Sequence, residues 1–394
     1  MAETLAPPWR PLALYVHWPF CESKCPYCDF NSHVRKQIDQ AAWRDALLAE
    51  MEEAARLTGP RRLVSIFFGG GTPSLMAPDT VAALIDRAGA LWPADDGIEI
   101  TLEAHPSSVE AGRFRALADA GVNRLSLGIQ SLDDTALGFL GRRHDSAAAR
   151  AAIAVAQRHF CRVSLDFIYA LPGQALADWR RALAEALAFG TEHLSLYQLT
   201  IEPGTAFHER HARGGLALPD DDLAADLFAL TQDMTAAAGL PAYEISNHAR
   251  ASAACRHNLV YWLGGDYAGI GPGAHGRLCL AAGWHATETL AKPEAWAQAV
   301  AGQGHGRHVL APLAGAERAR EILMMGLRLE QGLDLDAVTQ DSGVALDAVI
   351  DHAAKQRLLG DGLLAEQGSR LMVTPAGRPL TNSVLTALLT QGAQ

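Results

Sequence analysis

Three cysteines fall within eight residues, in CESKCPYC, so that Cys21, Cys25 and Cys28 stand at spacings of four and three. One short loop can then wrap a small inorganic body and offer it three soft thiolate ligands. Three thiolates suit a [4Fe–4S] cubane with one iron left open to a non-protein ligand. Two other readings share the spacing: a structural zinc site completed as Cys₃His by His17 or His33, and three cysteines that merely pack. Tyr27, directly before Cys28, and Tyr15, on the incoming apolar run, offer aromatic faces beside such a group, or ordinary core packing.

A second constellation is the glycine run GGGTP, Gly69 to Pro73, which follows an apolar segment. Glycines there allow positive φ and close backbone approach to a ligand, and exposed N–H and C=O groups can hold a zwitterionic amino-acid moiety. It is not a phosphate loop, since the Gly-x-x-x-x-Gly-Lys-Ser/Thr pattern is absent. Further on, HNLVYW places His257 beside Tyr261 and Trp262; taken residue by residue, this reads as a core histidine among aromatics. His248 and His275 lie near it in sequence. Gly271 to Gly276 matches G-x-G-x-x-G, but strand-like RLCLAA follows rather than a helix, which argues against a dinucleotide site.

The elements that must position these residues alternate along the chain. Apolar, β-branched or aromatic runs at 12–18, 63–68, 97–103, 123–129, 162–169 and 193–199 are separated by Ala/Leu/Arg/Glu-rich segments of helical period. Parallel strands need crossover helices, so six such units predict an α/β fold with a curved parallel sheet, a partial (β/α)₆ barrel. GGGTP, Glu103, Gln130, Asp166 and Gln198 then fall at or near the C-terminal ends of strands, the rim on which barrel sites are built. We expect a barrel over 1–240, a Gly-rich region over 241–310 packing on it, and a C-terminal helical, winged-helix-like domain over 311–394.

Bulk properties exclude several classes. The formal charge of -11 opposes phosphate-backbone binding, and residues 316–394 carry seven Lys/Arg against ten Asp/Glu, so no nucleic-acid partner is expected. Apolar residues make up 49% of the chain, yet their runs are broken well before the roughly 20 needed to cross a bilayer. No secretory signal is visible, the six cysteines do not read as a disulfide framework, and a cytoplasmic location is expected.

YVHWPFCESKCPYCDFNSH, FFGGGTPSLM, TLEAHP, LSLGIQSLDDTALGFLGRRHD, SLDFIYALPGQ and LSLYQLTIEPGT together resemble the radical S-adenosylmethionine (SAM) family of oxygen-independent coproporphyrinogen III oxidases. CDFNSH and HNLVYW bring the chain nearer to its HemW haem-chaperone branch, and the resemblance covers nearly the whole length. It implies that Cys21, Cys25 and Cys28 hold the cluster and that Tyr15 and Tyr27 line the SAM site. It implies also that Gly70, Gly71 and Thr72 receive the methionyl amino group. Glu103, Gln130 and Asp166 match polar contacts to SAM, mainly at its ribose end, and Arg142 matches the arginine facing the SAM carboxylate. Carboxylates and amides do accept ribose hydroxyls, and Arg does fork a carboxylate; a structural ion pair is the alternative for Glu103, Asp166 and Arg142.

Two departures bear on activity. The oxidases carry a fourth cysteine two positions after the third, where this chain has Phe30, and a longer arm before the first. Both count against oxidase chemistry while leaving the cluster intact. The expected function is therefore a haem chaperone with cluster, SAM and haem, handing haem to an acceptor protein. The alternatives are a coproporphyrinogen III oxidase decarboxylating propionates through a radical, and a zinc-stabilised binding protein.

Overall fold

A computed structural model describes residues 10–107 and 111–389. The principal strands are Pro11–Trp18 (β1), Arg62–Gly70 (β2), Ala94–Ala104 (β3), Arg124–Gln130 (β4), Arg162–Tyr169 (β5), His193–Gln198 (β6), Asn247–Ala249 (β7), Asp266–Ile270 (β8), His275–Leu280 (β9), Gly283–Thr289 (β10) and Arg307–Pro312 (β11). The first six coincide with the six apolar runs of the sequence, with helices such as Gln40–Thr58, Pro78–Leu91, Ser146–His159 and Leu176–Ala188 between them.

Contacts divide the chain into two compact units. The first comprises Met1–Val163, Ile201–Glu209 and Gly265–Pro312. Its strands run in the order β11-β10-β9-β8-β1-β2-β3-β4. β8, β1, β2, β3 and β4 are mutually parallel, and β9 to β11 add an antiparallel meander. β1 is buried along almost its whole length, including Leu12, Leu14, Val16 and Trp18, because a central parallel strand has both faces covered. Over one face lies Gln40–Thr58, begun by the Asp39 side chain accepting from Ala42 N and presenting Leu47 and Met51 to the core. Trp43 of that helix stacks on Trp296 with centroids 5.2 Å apart and a 6° interplanar angle.

The second unit comprises Ser164–Thr200, Arg210–Gly264 and Leu313–Gln394. β5 and β6 pair in parallel and β6 with β7 antiparallel. Its C-terminal part has its own core, in which Ile322, Leu323, Val338, Leu358, Leu371 and Leu388 are buried together. A ribbon of Leu364–Gln367 with Arg370–Val373 completes a helix-and-ribbon domain of the kind the sequence suggested. The strands of neither unit close on themselves: the α/β sheet is open, a partial rather than a complete barrel.

Candidate cofactor site

The cysteine loop connects β1 to the helix Gln40–Thr58. Cys21 sits on a two-residue strand, Phe20–Cys21, paired in parallel with His33–Val34, and a turn from Cys28 N to Cys25 O, 3.2 Å, folds the other two cysteines back. Each sulfur has a polar neighbour. Thr72 Oγ1 donates to Cys21 Sγ at 3.4 Å, Arg142 Nη1 donates to Cys25 Sγ at 3.5 Å, and Ser32 Oγ lies 3.9 Å from Cys28 Sγ. Burial pushes the Cys21 and Cys28 thiols up, and each also feels the charge of neighbouring cysteines in the loop. They are therefore thiols until a metal draws the protons off.

Among the described residues no three His, Cys, Asp or Glu side chains converge on a single ion-sized point. His17 is not offered as a zinc ligand. Its Nε2 is 2.9 Å from Asn31 O, which can only accept, so Nε2 carries the proton and Nδ1 accepts from Tyr15 OH at 2.9 Å. Burial lowers the His17 pKa to about 4 and raises that of Tyr15, in keeping with a neutral imidazole and an un-ionised phenol.

The glycine run is dictated by what surrounds it. A Cβ on Gly69 would lie 2.8 Å from the Tyr15 ring, one on Gly70 2.6 Å from the His17 ring, and one on Gly71 2.7 Å from Phe20 O. Gly70 also has φ +114°, outside the reach of ordinary residues. The amides of this loop are already spoken for. Gly71 N donates to Trp18 O at 2.7 Å, Thr72 N to Phe20 O at 2.8 Å, and Gly70 N to Glu103 Oε2 at 3.2 Å. A bound group that donates, such as an ammonium, fits acceptors like the Glu103 carboxylate better than these occupied N–H groups.

Arg142 is the cation of the site. Besides Cys25, Nη1 donates to Tyr27 OH at 3.4 Å and Nη2 to Gly128 O at 2.7 Å; among the described residues no carboxylate is its partner. Its Nε is buried and unpartnered, as is Nδ1 of the neighbouring His144. His144 packs edge-on against His105 with centroids 4.9 Å apart. Burial, and next the Arg142 charge, lower His105 to about 2 and His144 to about 4, so both are neutral. At the end of β4 Gln130 has φ +66°, a left-handed conformation uncommon for a side chain of its size and frequent where function constrains the backbone. Thus Cys21, Cys25, Cys28, Tyr15, Tyr27, Gly70, Gly71, Thr72, Glu103, Gln130 and Arg142 all lie in the first unit.

Of the remaining candidates, all but His275 belong to the second unit. Asp166, on β5, accepts from Ser164 Oγ at 3.4 Å. His257 is only 1% exposed on the helix Arg256–Trp262, its Nε2 bonded to Tyr261 OH and its ring edge-on to that of Tyr261. The indole N–H of Trp262 is buried without a partner. His248 is fully buried, with Nδ1 3.0 Å from Thr235 Oγ1. His275, in the first unit, is exposed, with Nδ1 3.7 Å from Glu288.

Sequence reasoning named His17 only as an alternative zinc ligand and passed over Ser32, Asn31, His105 and His144 as members of this neighbourhood. The signal was present, since all five lie inside the motifs YVHWPF, CDFNSH, TLEAHP and GRRHD. What was missing was the long-range partner of each.

The radical SAM superfamily model matches residues 15–186, and the HemN C-terminal domain model residues 313–380. The chain is 45% identical over 338 residues to the mitochondrial radical S-adenosyl methionine domain-containing protein 1 of Bos taurus, covering 84% of this chain and 76% of that one. It is 37% identical to the Heme chaperone HemW of Mycobacterium tuberculosis, covering 98% and 97%. With the HemW of Escherichia coli it shares 35% identity over 97% of this chain and 99% of that one. The solved structure of Escherichia coli coproporphyrinogen III oxidase (HemN), a radical SAM enzyme, superposes with a TM-score of 0.80 over 96% of this chain and 90% of that one. At 23% identity that likeness speaks for the fold. No helix among the described residues is long and apolar enough to cross a membrane.

Proposed function

Because the chain belongs to the HemW family of the radical SAM superfamily, we propose that it is a haem chaperone: it holds a [4Fe–4S] cluster on Cys21, Cys25 and Cys28, binds SAM beside it, and passes haem to an acceptor protein. The observation that carries this reading is the cysteine loop itself. Three thiols in one loop each have a polar neighbour, beside a half-buried arginine that bonds no carboxylate among the described residues. That set fits an anionic, sulfur-held body with an anionic ligand next to it.

When bound, the cluster supplies an electron to SAM. The chain's own residues do the positioning. Hydrogen bonds to ligand sulfurs tune a cluster's potential, a role Thr72 takes toward Cys21 and Arg142 toward Cys25. Arg142 would also fork the SAM carboxylate, and Glu103 accept the ammonium. Gln130 would take ribose hydroxyls, a role the family resemblance also gives to Asp166, while Tyr15 and Tyr27 close the site against water. For haem, His257 with Tyr261 and Trp262 offers an imidazole beside aromatic surface; His248 and His275 are the nearest histidines to it in sequence.

Anaerobic reconstitution followed by haem titration tests the proposal. About four irons and four sulfides per chain are expected. Cys21→Ala, Cys25→Ala or Cys28→Ala should each abolish the cluster, while Cys161→Ala, Cys255→Ala and Cys279→Ala retain it. Haem should bind, and coproporphyrinogen III should not be turned over in the presence of SAM and a reductant. Stoichiometric zinc without sulfide, or multiple turnovers to protoporphyrinogen, would overturn the reading.

A further inference from the structure

Asn31, three residues after Cys28, uses every polar group of its side chain. Its Nδ2 donates to Pro272 O and to Ala291 O, both at 2.9 Å, and its Oδ1 accepts from His33 Nε2 at 3.1 Å. Since Pro272 and Ala291 present carbonyls, the orientation of the amide is not free: nitrogen must face them and oxygen must face His33. The Asn31 carbonyl accepts from His17 Nε2, and that bond forces His17 Nδ1 to accept from Tyr15 OH. One residue thereby joins the cysteine loop, the end of β1 and two points on the turn-and-strand segment 271–291.

Pro272 and its neighbours form a fitted counterpart. A Cβ on Gly273 would stand 2.5 Å from Asn31 Nδ2, and one on Gly271 2.3 Å from His17 O, so only glycines let the two segments meet. From behind, the turn is gripped by Glu50. Its Oε2 accepts from Gly271 N at 2.7 Å and from Trp296 Nε1 at 2.8 Å, and its Oε1 accepts from Gly306 N at 2.7 Å. Glu50 is 3% exposed and belongs to the helix Gln40–Thr58, a rigid element.

We infer that Asn31 is a positioning residue for the cluster loop: its amide latches the segment just after Cys28 to the 271–291 segment, and so holds the third thiol, His17 and Tyr15 in register. The consequence for the cluster rests on the reading given under Proposed function; the latch itself does not. A cluster with an open iron loses metal when a ligand swings away, so the latch should set the rate of loss.

Two variants of the full chain separate the amide's role from space-filling. Asn31→Ala removes the donors, and Asn31→Asp is isosteric but turns an acceptor toward two carbonyls. In the apo chain, hydrogen exchange at His33 N, bonded to Pro19 O at 2.7 Å, and at Arg35 N, bonded to Cys21 O, should speed up by about tenfold or more in both variants. In the reconstituted chain, iron release to a ferrous chelator should accelerate by a similar factor in both, with parental exchange elsewhere. If Asn31→Asp exchanges like the parent, the side chain only fills space and the latch is wrong. If exchange accelerates in both variants but iron release does not, the latch stands and its bearing on the cluster is wrong. Should the parent assemble no iron and sulfide at all, the cluster reading fails while apo exchange still decides the latch.

Discussion

Replacing Gly71 by Ala isolates the steric argument for the glycine run, because Gly71 lies outside the positive-φ set and its backbone would tolerate alanine. The added methyl would stand 2.7 Å from Phe20 O, 2.9 Å from Phe20 C and 3.0 Å from Cys21 Sγ. Ordinary contacts begin near 3.4 Å, so the Phe20 carbonyl has to retreat by about 0.7 Å. That oxygen also accepts from Thr72 N at 2.8 Å, and Thr72 Oγ1 donates to Cys21 Sγ. Overpacking of backbone costs about 1–3 kcal/mol, and the loosened hydrogen bond adds roughly another 1 kcal/mol. Gly89 provides the opposite case. It is exposed near the end of the helix Pro78–Leu91 with nothing within 4 Å of its Cβ. There alanine should stabilise by about 0.5–1 kcal/mol through helix propensity. Chemical denaturation of the apo chain and iron and sulfide content after reconstitution are the assays. Gly71→Ala should lower both stability and cluster occupancy, whereas Gly89→Ala should raise stability and leave occupancy alone. A Gly71→Ala protein of parental stability with a full cluster would refute the steric account of the loop.

Three further outcomes follow from the same geometry. Burial outweighs the N–H groups of Gly271, Gly306 and Trp296 and raises the Glu50 carboxyl to about 7, from 4.5. A raised acid stabilises the fold below its unfolded pKa and loses that contribution as pH rises through the folded one. The stability gap between the parent and Glu50→Gln should therefore shrink by up to about 1.4 kcal/mol per pH unit on going from about pH 5 to about pH 7; denaturation curves showing it widen would contradict this. Arg142→Met removes a charge-assisted partner of about 1.5–3 kcal/mol, so SAM should bind the reconstituted protein about 10- to 100-fold more weakly by calorimetry, and parental affinity would sink the assignment. For His257→Ala, weakened haem binding with an unchanged apo melting temperature supports a role in the haem site. A melting temperature lowered by a loss of about 1–3 kcal/mol, with parental haem affinity, would confine His257 to the core and move the search to His248 and His275.

Period and spacing, which are local, were legible in the sequence. β1 to β6 fall where apolar runs alternate with helical segments, because burial on a strand or helix repeats every few residues and leaves that period in the chain. The cysteine triad was legible for the same reason, its ligands lying within one loop. The resemblance supplied Arg142 and agreed with the strand-end reading of Glu103 and Gln130, but neither gave their surroundings. Only the folded chain shows Arg142 between Cys25, Tyr27 and Gly128, Gln130 in a left-handed conformation, and the loop amides committed to Trp18, Phe20 and Glu103. The 271–276 run is the clearest case. In sequence it imitates a dinucleotide motif, whereas in the structure its glycines admit Asn31 and His17, residues some 240 positions earlier. Contacts across that separation impose no local period, so nothing in the neighbouring residues announces them. They arise when the strands come side by side and the backbone either finds room there or does not.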